Sequence, residues 1–289
     1  MRNIMLFIDD VAGAEALAKK ALKIACQCKA NLQLCNVAAN MAHKKELVGH
    51  NGDDDEFLET DKFGLKADEL GQQLQAIYYP EGTFIPAVEY CEISNFNPVI
   101  IKEMVVKHNI WLIIMDEKQL RHIKNQDTGN YALKEISSLN CPVLIMPVKF
   151  EVSNFNKIAY VTDLRYCDFG VIRFLKVFNA ALFVTHVSAP GLPDMDERYA
   201  QEILAEEVSL KTNYLKMFLR NIKNSINIKA PINKVLDSLE IKMFAIVNKK
   251  HRTFERLFDS FPKKTQVYHK LPTLIFPYLN WFNQSSFYS

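Results

Sequence analysis

Apolar residues are distributed along this chain in two alternating patterns. Short continuous runs such as Ile110–Met115 and Val143–Met146 are separated by stretches in which apolar residues recur every three or four positions. Continuous runs are typical of parallel strands buried on both faces, and the longer period is typical of helices that pack on a sheet. The alternation predicts an α/β fold in which right-handed helical crossovers join parallel strands.

The first half of the chain contains five predicted strands with helices between them. The strands are at Asn3–Ile8, Asn31–Val37, Thr83–Glu92, Ile110–Met115 and Val143–Met146. Helical spacing occupies 14–25, 57–77 and a segment that begins near Pro98, because proline is tolerated in the first turn of a helix. This order predicts a βαβαβαβαβ unit.

The second half repeats the pattern of the first. The run Lys157–Thr162 matches Asn3–Ile8 position for position, and an Asp follows each run. Phe244–Val247 and the run inside Pro272–Pro277 match the last two strands of the first half. The chain is therefore predicted to be a duplication.

Between these matched ends, the second half is predicted to be less regular. A long helix is expected at Asp194–Ile222, a strand near Ile226–Ile232 and a short helix at Val235–Ile241. The predicted buried face of the long helix consists of Ile203, Leu210, Tyr214, Met217, Phe218 and Ile222. We expect two domains, at 1–150 and 151–289, the second with a shortened third-strand region and an aromatic tail.

The composition is typical of globular domains with sizeable cores. Of the 289 residues, 49% are hydrophobic and 24% are charged. No apolar run reaches the ~20 residues of a membrane span, and the N-terminal apolar run is too short for a signal peptide, so we expect a cytoplasmic protein. The net charge of +2 conceals an acidic first half, with 16 Lys and Arg against 20 Asp and Glu, and a basic second half, with 19 against 13. The six cysteines form no C-x-x-C pair and are expected to be reduced thiols.

The sequence lacks the spacings of common catalytic and metal centres. The seven histidines form neither H-x-x-x-H nor H-E-x-x-H, and there is no G-x-S-x-G elbow or Walker loop. His186, in an apolar run near the end of a predicted strand, is interpreted as a core or rim histidine rather than a general base. We expect no metal centre and no enzymatic activity, with a slow ATPase as the alternative.

Two features recur in both halves and together resemble one family. Asp9 and Asp163 end the first strand of each half, and proline-bracketed motifs close each half at Cys141–Pro147 and Leu271–Pro277. Because they occur in the same order in both halves, they resemble the domains of universal stress proteins. The resemblance covers nearly the whole chain. It implies two tandem, doubly wound, five-stranded parallel sheets of strand order 3-2-1-4-5, of the adenine nucleotide alpha hydrolase-like type.

The resemblance also locates the loop with which many members of this family bind ATP. That loop carries G-x2-G-x9-G-[ST] after the fourth strand, where glycines let the backbone approach phosphate and amide groups stabilise its charge. In the first half the motif positions fall on Asp116, Gln119, Gly129 and Asn130. In the second half they fall on Asn248, His251, Asp259 and Ser260, in a loop two residues shorter. Only one glycine remains, so the resemblance implies two degenerate sites.

ATP is therefore disfavoured as a ligand, although part of its site is recognisable. The residues that the resemblance assigns to this degenerate nucleotide site are Asp9, Val37, Gly129, Asn130 and Asp163. A carboxylate at a strand end also commonly caps the next helix or bonds a turn, and position alone does not separate these roles.

A basic loop in the second half gives the same region a different potential use. Lys249, Lys250 and Arg252 lie where phosphate would approach, with Ser260 farther along the loop. These charges are consistent either with an anion site that replaces the glycine cradle or with a solvated loop. Nucleic-acid binding is not expected, because the overall charge is nearly balanced and no recognised aromatic pattern accompanies the basic residues.

The leading interpretation is a cytoplasmic tandem universal stress protein with degenerate ATP sites and no catalytic role. It would act in the stress response by binding or through an unidentified protein partner, without a membrane partner. One alternative is a nucleotide-binding protein that uses Asp9, Gly129 and Asn130 in the first half only. Another is an anion-binding module built on Lys249–Arg252.

The fifth strands predict how the two halves associate. In the family that the chain resembles, fifth strands commonly pair antiparallel across a two-fold axis, and duplication places both mates, Val143–Met146 and Thr273–Phe276, in one chain. An apolar edge strand left bare would invite aggregation, whereas pairing satisfies its backbone groups. The linker Glu151–Asn156 can span ~20 Å, which is enough for neighbours in contact. We expect an intramolecular pseudo-dimer, with a homodimer as a further option.

Overall fold

The computed structural model contains one continuous sheet of ten strands. It describes residues 1–8, 11–37, 69–77, 79, 81–93, 98–116, 119, 139–147, 149–151, 154–162, 169–187, 196–222, 229–248 and 271–277. The strands are β1 (Asn3–Ile8), β2 (Asn31–Val37), β3 (Val88–Ile93), β4 (Ile110–Asp116), β5 (Val143–Met146), β6 (Lys157–Thr162), β7 (Ala181–Val187), β8 (Met217–Ile222), β9 (Met243–Val247) and β10 (Thr273–Phe276). Their order across the sheet is β3-β2-β1-β4-β5-β10-β9-β6-β7-β8. Each half therefore has the predicted order 3-2-1-4-5, and the two halves meet at their fifth strands.

Helices cover both faces of this sheet. They are α1 (Val11–Cys28), α2 (Pro98–Lys107), α3 (Phe169–Lys176), α4 (Glu197–Glu202), α5 (Ser209–Thr212) and α6 (Lys229–Ser238), with a π-helical turn at Ile203–Val208 between α4 and α5. Residues 69–75 are also helical. Buried residues of α1, α3 and α4 belong to one core, and those of α2 and α6 belong to the core on the opposite face. The doubly wound arrangement predicted from the sequence is therefore present.

Burial on both faces explains why the strands appear as unbroken apolar runs. In β1, Ile4 and Leu6 belong to one core, while Met5 and Phe7 belong to the other. All pairings within each half are parallel, as in β1 with β2 and β6 with β7. Parallel strands with helices above and below have no solvent-facing side, so alternation of apolar and polar residues is absent.

The two halves are joined by their shortest strands. β5 and β10 pair antiparallel, with Leu144 opposite Leu274 and Ile145 opposite Thr273. Every residue of both strands is buried. The prediction that the fifth strands pair with each other is confirmed, and the pairing leaves neither strand as a bare sheet edge.

A bulge in β4 directs a large aromatic side chain toward this junction. Asn3 pairs with Ile110 and Ile4 pairs with Leu112, so Trp111 is an extra residue in the ladder between β1 and β4. A bulge of this kind re-aims the side chains next to it. Trp111 and Leu112 consequently both pack into the core that contains α1 and α3.

Aromatic rings from both halves pack together beside the bulge. Trp111 stacks on Phe174 of α3, with ring centroids 4.0 Å apart and planes inclined by 15°. Phe276 of β10 meets Phe174 edge-on at 5.1 Å, and Phe178 lies 6.2 Å from Trp111. Such contacts contribute about 0.5–1.5 kcal/mol per pair beyond area burial, so this cluster ties the halves into one core.

A partly buried polar contact reinforces the same junction. The Gln27 side chain at the end of α1 donates from Nε2 to the carbonyl of Phe178 at 2.9 Å. Its Oε1 accepts from the backbone N–H of Phe155 at 3.3 Å. One side chain of the first half thus bonds two backbone segments of the second.

The predicted long helix of the second half is wrong beyond Thr212. Asn213 adopts a left-handed conformation with φ 49° and ends the helix. Met217–Ile222 forms β8, the outermost strand, in which exposed and less exposed residues alternate. Leu210, predicted to be buried, is 77% exposed. The spacing of apolar residues over Asp194–Ile222 is compatible with one helix, but the left-handed turn at Asn213 interrupts it.

Three further elements also differ from the predictions. The strand expected near Ile226–Ile232 is wrong, because Lys229–Ser238 forms helix α6 and the third strand of this half is β8. The helix expected at Val235–Ile241 consequently begins six residues earlier. In the first half, β3 begins at Val88 rather than at Thr83.

Candidate functional site

The structure places few of the sequence-predicted site residues within its described parts. Val37 is the last residue of β2. The other predicted positions lie outside the described residues, namely Asp9, Gly129, Asn130, Asp163, Lys249, Lys250, Arg252 and Ser260. The carboxyl ends of β1 and β4 are described, however, and so are the first two motif positions of the first half, Asp116 and Gln119.

These two motif positions form a closed polar turn at the end of β4. The backbone N–H of Gln119 donates to Asp116 Oδ1 at 2.8 Å. In return, the backbone N–H of Asp116 donates to Gln119 Oε1 at 3.0 Å. The reciprocal pair satisfies two backbone amides with protein side chains, at the position where family members with glycines present backbone to phosphate.

The Gln119 side chain also closes the gap between two strand ends. Its Nε2 donates to the carbonyl of Phe7, on β1, at 2.7 Å, and the residue is only 7% exposed. A glycine at this position would leave that space open. The side chain therefore fills the edge of the sheet between β1 and β4.

The carboxylate of Asp116 contributes to the electrostatics around a lysine of α1. Burial lowers the pKa of Lys20, and the carboxylates of Glu151 and, to a smaller extent, Asp116 partly reverse that shift. Phosphate approaching this turn would meet the carboxylate of Asp116.

In the second half, the backbone at the first motif position bonds the neighbouring fifth strand. Asn248, at its first motif position, follows β9 directly and donates its backbone N–H to the carbonyl of Phe276, on β10, at 2.8 Å. The side chain at this position is half-buried. The remaining motif positions of this half, His251, Asp259 and Ser260, lie outside the described residues.

His186 lies near the carboxyl end of β7 with a structural partner. Its Nδ1 is 2.9 Å from Asn221 Oδ1, on the neighbouring strand β8, and the residue is 2% exposed. A general base needs access to substrate and is commonly oriented by a carboxylate. The burial and the amide partner favour the interpretation of a core histidine.

The sequence did not indicate a pair of thiols on neighbouring strands. Cys35 of β2 and Cys91 of β3 are directly opposite in the parallel ladder. The Cys35 thiol donates a hydrogen bond to the Cys91 sulfur, which lowers the pKa of Cys91 and raises that of Cys35. Strand register would have been needed to find this pair from sequence.

Two other features are absent from the described residues, a metal-binding cluster and a membrane-spanning helix. That part of the chain has no cluster of three or more His, Cys, Asp or Glu side chains suited to a metal ion. Its helices also include none with both the length and the apolar character needed to cross a membrane.

Comparison with known proteins identifies the fold. No model of a protein family matches this sequence, and no curated protein matches it. Among solved structures, a universal stress protein from Archaeoglobus fulgidus DSM 4304 is similar with a TM-score of 0.60 at 12% identity, over 95% of this chain and 96% of that one. A putative universal stress protein from Pseudomonas aeruginosa UCBPP-PA14 gives 0.52 at 15% identity, over 96% and 93%.

A third similar structure is a functionally unknown protein from Pseudomonas aeruginosa PAO1. It gives a TM-score of 0.51 at 15% identity, over 96% of this chain and 92% of that one. All three similarities extend over almost the full length of both chains at low identity, as expected when strand order is shared but loops have diverged. The chain therefore has the fold seen in universal stress proteins.

Proposed function

We propose that the chain is a tandem universal stress protein whose nucleotide sites are degenerate, and that it acts in the stress response by binding rather than by catalysis. The observation that carries the proposal is the closed turn at the end of β4. There, Asp116 and Gln119 lie where glycines would cradle phosphate. They are bonded to each other, and Gln119 is also bonded to Phe7.

Two features of this edge disfavour ATP. Close approach of phosphate to backbone requires that no side chain intervene, and Gln119 fills that space. The approach also requires unoccupied N–H donors and a favourable potential, whereas the Asp116 amide is bonded and its carboxylate repels anions. Both changes disfavour phosphate, and neither offsets the other.

We also propose that the two halves work as one intramolecular pair in the cytoplasm. The antiparallel β5–β10 pairing and the shared aromatic cluster support this, because each half covers the sheet edge that a second chain would otherwise cover. The interaction with a protein partner would then use surfaces away from this junction.

Calorimetry with Mg-ATP tests the degenerate-site proposal. We expect no binding at the carboxyl edge of either half. Micromolar affinity, about −8 kcal/mol, that disappears in Gly129→Val and Asp9→Ala would contradict the proposal and establish a nucleotide site in the first half. Micromolar affinity lost only in Lys250→Gln or Arg252→Gln would establish the basic loop of the second half instead.

A further inference from the structure

A cleft of about 640 Å³ opens where the two halves meet, at the amino ends of the strands. Arg2 and Lys29 of the first half line it, together with Arg173 and Lys176 of the second. Four of its nine lining residues are thus cationic, and none is Asp or Glu. We call these four side chains and the space between them the basic cleft. It lies at the opposite end of the strands from the Asp116–Gln119 turn.

The fold fixes each half's contribution to the basic cleft. Arg2 precedes β1, and its guanidinium carbon lies 5.5 Å from the centre of the Trp111 ring. Lys29 follows α1 in a left-handed conformation, φ 51°, which turns the chain from the helix into β2. These positions follow from the strand and helix ends, so the two cations stay close together at one edge.

The cations of the second half are held by backbone carbonyls. Arg173 Nη2 donates to the carbonyl of Lys211 at 3.1 Å, and Lys176 Nζ lies 3.5 Å from the carbonyl of Thr212. Arg173 has five N–H donors, and this contact uses one. Within the described parts of the chain, none of the four cations of the basic cleft forms an ion pair with a carboxylate.

Four like charges around one cleft create a potential that favours an anion. The carbonyl groups at the ends of α1 and α3 offset part of it, since helix C-termini carry partial negative charge. A phosphate group carries about −1.5 to −2 at pH 7, so a single phosphate would neutralise at most half of the four charges. Arginine also presents a planar fork that matches phosphate oxygens. The volume lies within the range of about 300–1,000 Å³ that is typical of small-molecule sites.

We propose that the basic cleft binds a small molecule with two or three linked phosphate groups, held between the cations of the two halves. The phosphate chain is recognised by charge and by arginine hydrogen bonds, whether it is inorganic or part of a nucleotide. Because both halves line the cleft, binding requires the paired arrangement. The site does not depend on whether the carboxyl edge binds ATP.

Calorimetry of the full chain with sodium tripolyphosphate, without magnesium and at low salt, tests this proposal. We expect binding that is at least about tenfold tighter than that of monophosphate and that weakens as salt is added, because charge contacts dominate. ATP in the same buffer distinguishes the two sources of a phosphate chain. Equal affinity for ATP means that a nucleotide is accepted, and much weaker affinity means that the inorganic chain is preferred; either result supports the cleft.

A double variant removes one cation from each half with little strain. Lys29→Asn keeps a residue that tolerates the left-handed conformation, and Lys176→Gln keeps an N–H donor for Thr212. We expect this variant to raise the Kd for tripolyphosphate by about 10- to 100-fold, as is usual for loss of charged hydrogen bonds. The matched control, Lys19→Gln with Lys107→Gln, removes the same charge from exposed helix positions outside the cleft and should change the Kd little. Circular dichroism and urea unfolding verify that both variants are folded.

Three results would overturn the proposal. The first is that the unmodified chain shows no detectable binding of tripolyphosphate. The second is that the cleft variant and the control lose the same affinity for it. The third is that Lys250→Gln with Arg252→Gln abolishes binding while the cleft variant still binds. Binding of tripolyphosphate that persists in Gly129→Val supports the cleft. The degenerate-site proposal is contradicted by a different result, namely Mg-ATP binding that disappears in Gly129→Val.

Discussion

The two halves share a framework and differ at its carboxyl edge. β1 and β6 have the same burial pattern, five buried residues after a half-buried first one, and each lies between strands of corresponding order. At this edge the Gln119 side chain of the first half bonds β1, whereas the Asn248 backbone of the second half bonds β10, the parallel neighbour of its own strand β9. The comparison shows that burial limits sequence divergence in these strands, because both are covered on both faces. Loop positions lack that restraint, and there the halves have diverged.

The largest expected effect concerns the core that the halves share. Phe174→Ala removes a fully buried ring that contacts Trp111 and Phe276, one from each half. We expect it to lower the free energy of unfolding by about 3–5 kcal/mol and to destabilise both halves together. Urea unfolding followed by circular dichroism and tryptophan fluorescence measures this effect.

A matched control is available at the outer edge of the second half. Phe218 stacks on Phe183 with centroids 5.4 Å apart but is 47% exposed. Phe218→Ala should therefore cost clearly less, about 1 kcal/mol from its aromatic pair. Equal losses in the two variants, or loss of only one half in Phe174→Ala, would show that the aromatic cluster does not unite the halves.

The framework could be predicted from sequence more completely than the site. Apolar runs identify β1 and β4 because burial on both faces leaves no other pattern. The β5–β10 pair is expected from the resemblance to universal stress proteins, and the bare-edge argument supports it. The β4 bulge at Trp111 could not be predicted, since it depends on register with β1. The incorrect prediction of a helix over β8 has a related cause. Over a few residues, the spacing of apolar residues is compatible with either a helix or a strand, and the helix ends at Asn213.

From the sequence, the candidate site could be predicted only as the loss of a glycine motif. Motif positions show that all the motif glycines but Gly129 are absent, but not which residues occupy their space. The bond from Gln119 to Phe7 joins residues 112 positions apart, so no local pattern reveals it. The basic cleft was also unpredictable, because its charges come from strand and helix ends of both halves that only the junction brings together.

The next effect tests the closure of the carboxyl edge of the first half. Gln119→Ala leaves the Phe7 carbonyl and the Asp116 amide without their present partner, and we expect a loss of about 1–3 kcal/mol in stability. Urea unfolding of the variant and of the unmodified chain measures this loss. No measurable loss would show that the Gln119 side chain does not hold the two strand ends together.

The smallest effect is one of reactivity rather than stability. Cys35 and Cys91 correspond in the second half to Thr185 and Arg220, which pair in the same register. Because the pKa of Cys91 is lowered by the Cys35 hydrogen bond, its thiolate should form at lower pH than that of Cys26, whose pKa is raised by burial. Iodoacetamide labelling with peptide mass spectrometry should therefore modify Cys91 before Cys26.

The fully buried thiols provide the comparison for that experiment. Burial raises the pKa of Cys28 and Cys141, so both should remain unlabelled in the folded protein. In Cys35→Ala, the labelling of Cys91 should shift to higher pH, because its hydrogen-bond donor is gone. Rapid labelling of Cys141 would show that the β4–β5 core opens more readily than its burial implies.

We propose that the carboxyl edges of both halves hold no nucleotide. This is tested by the absorbance spectrum and mass spectrum of the supernatant after heat denaturation of protein purified without added nucleotide. We expect no adenine nucleotide in amounts comparable to the protein. One or two nucleotides per chain, reduced by Gly129→Val but retained in Lys29→Asn with Lys176→Gln, would contradict it.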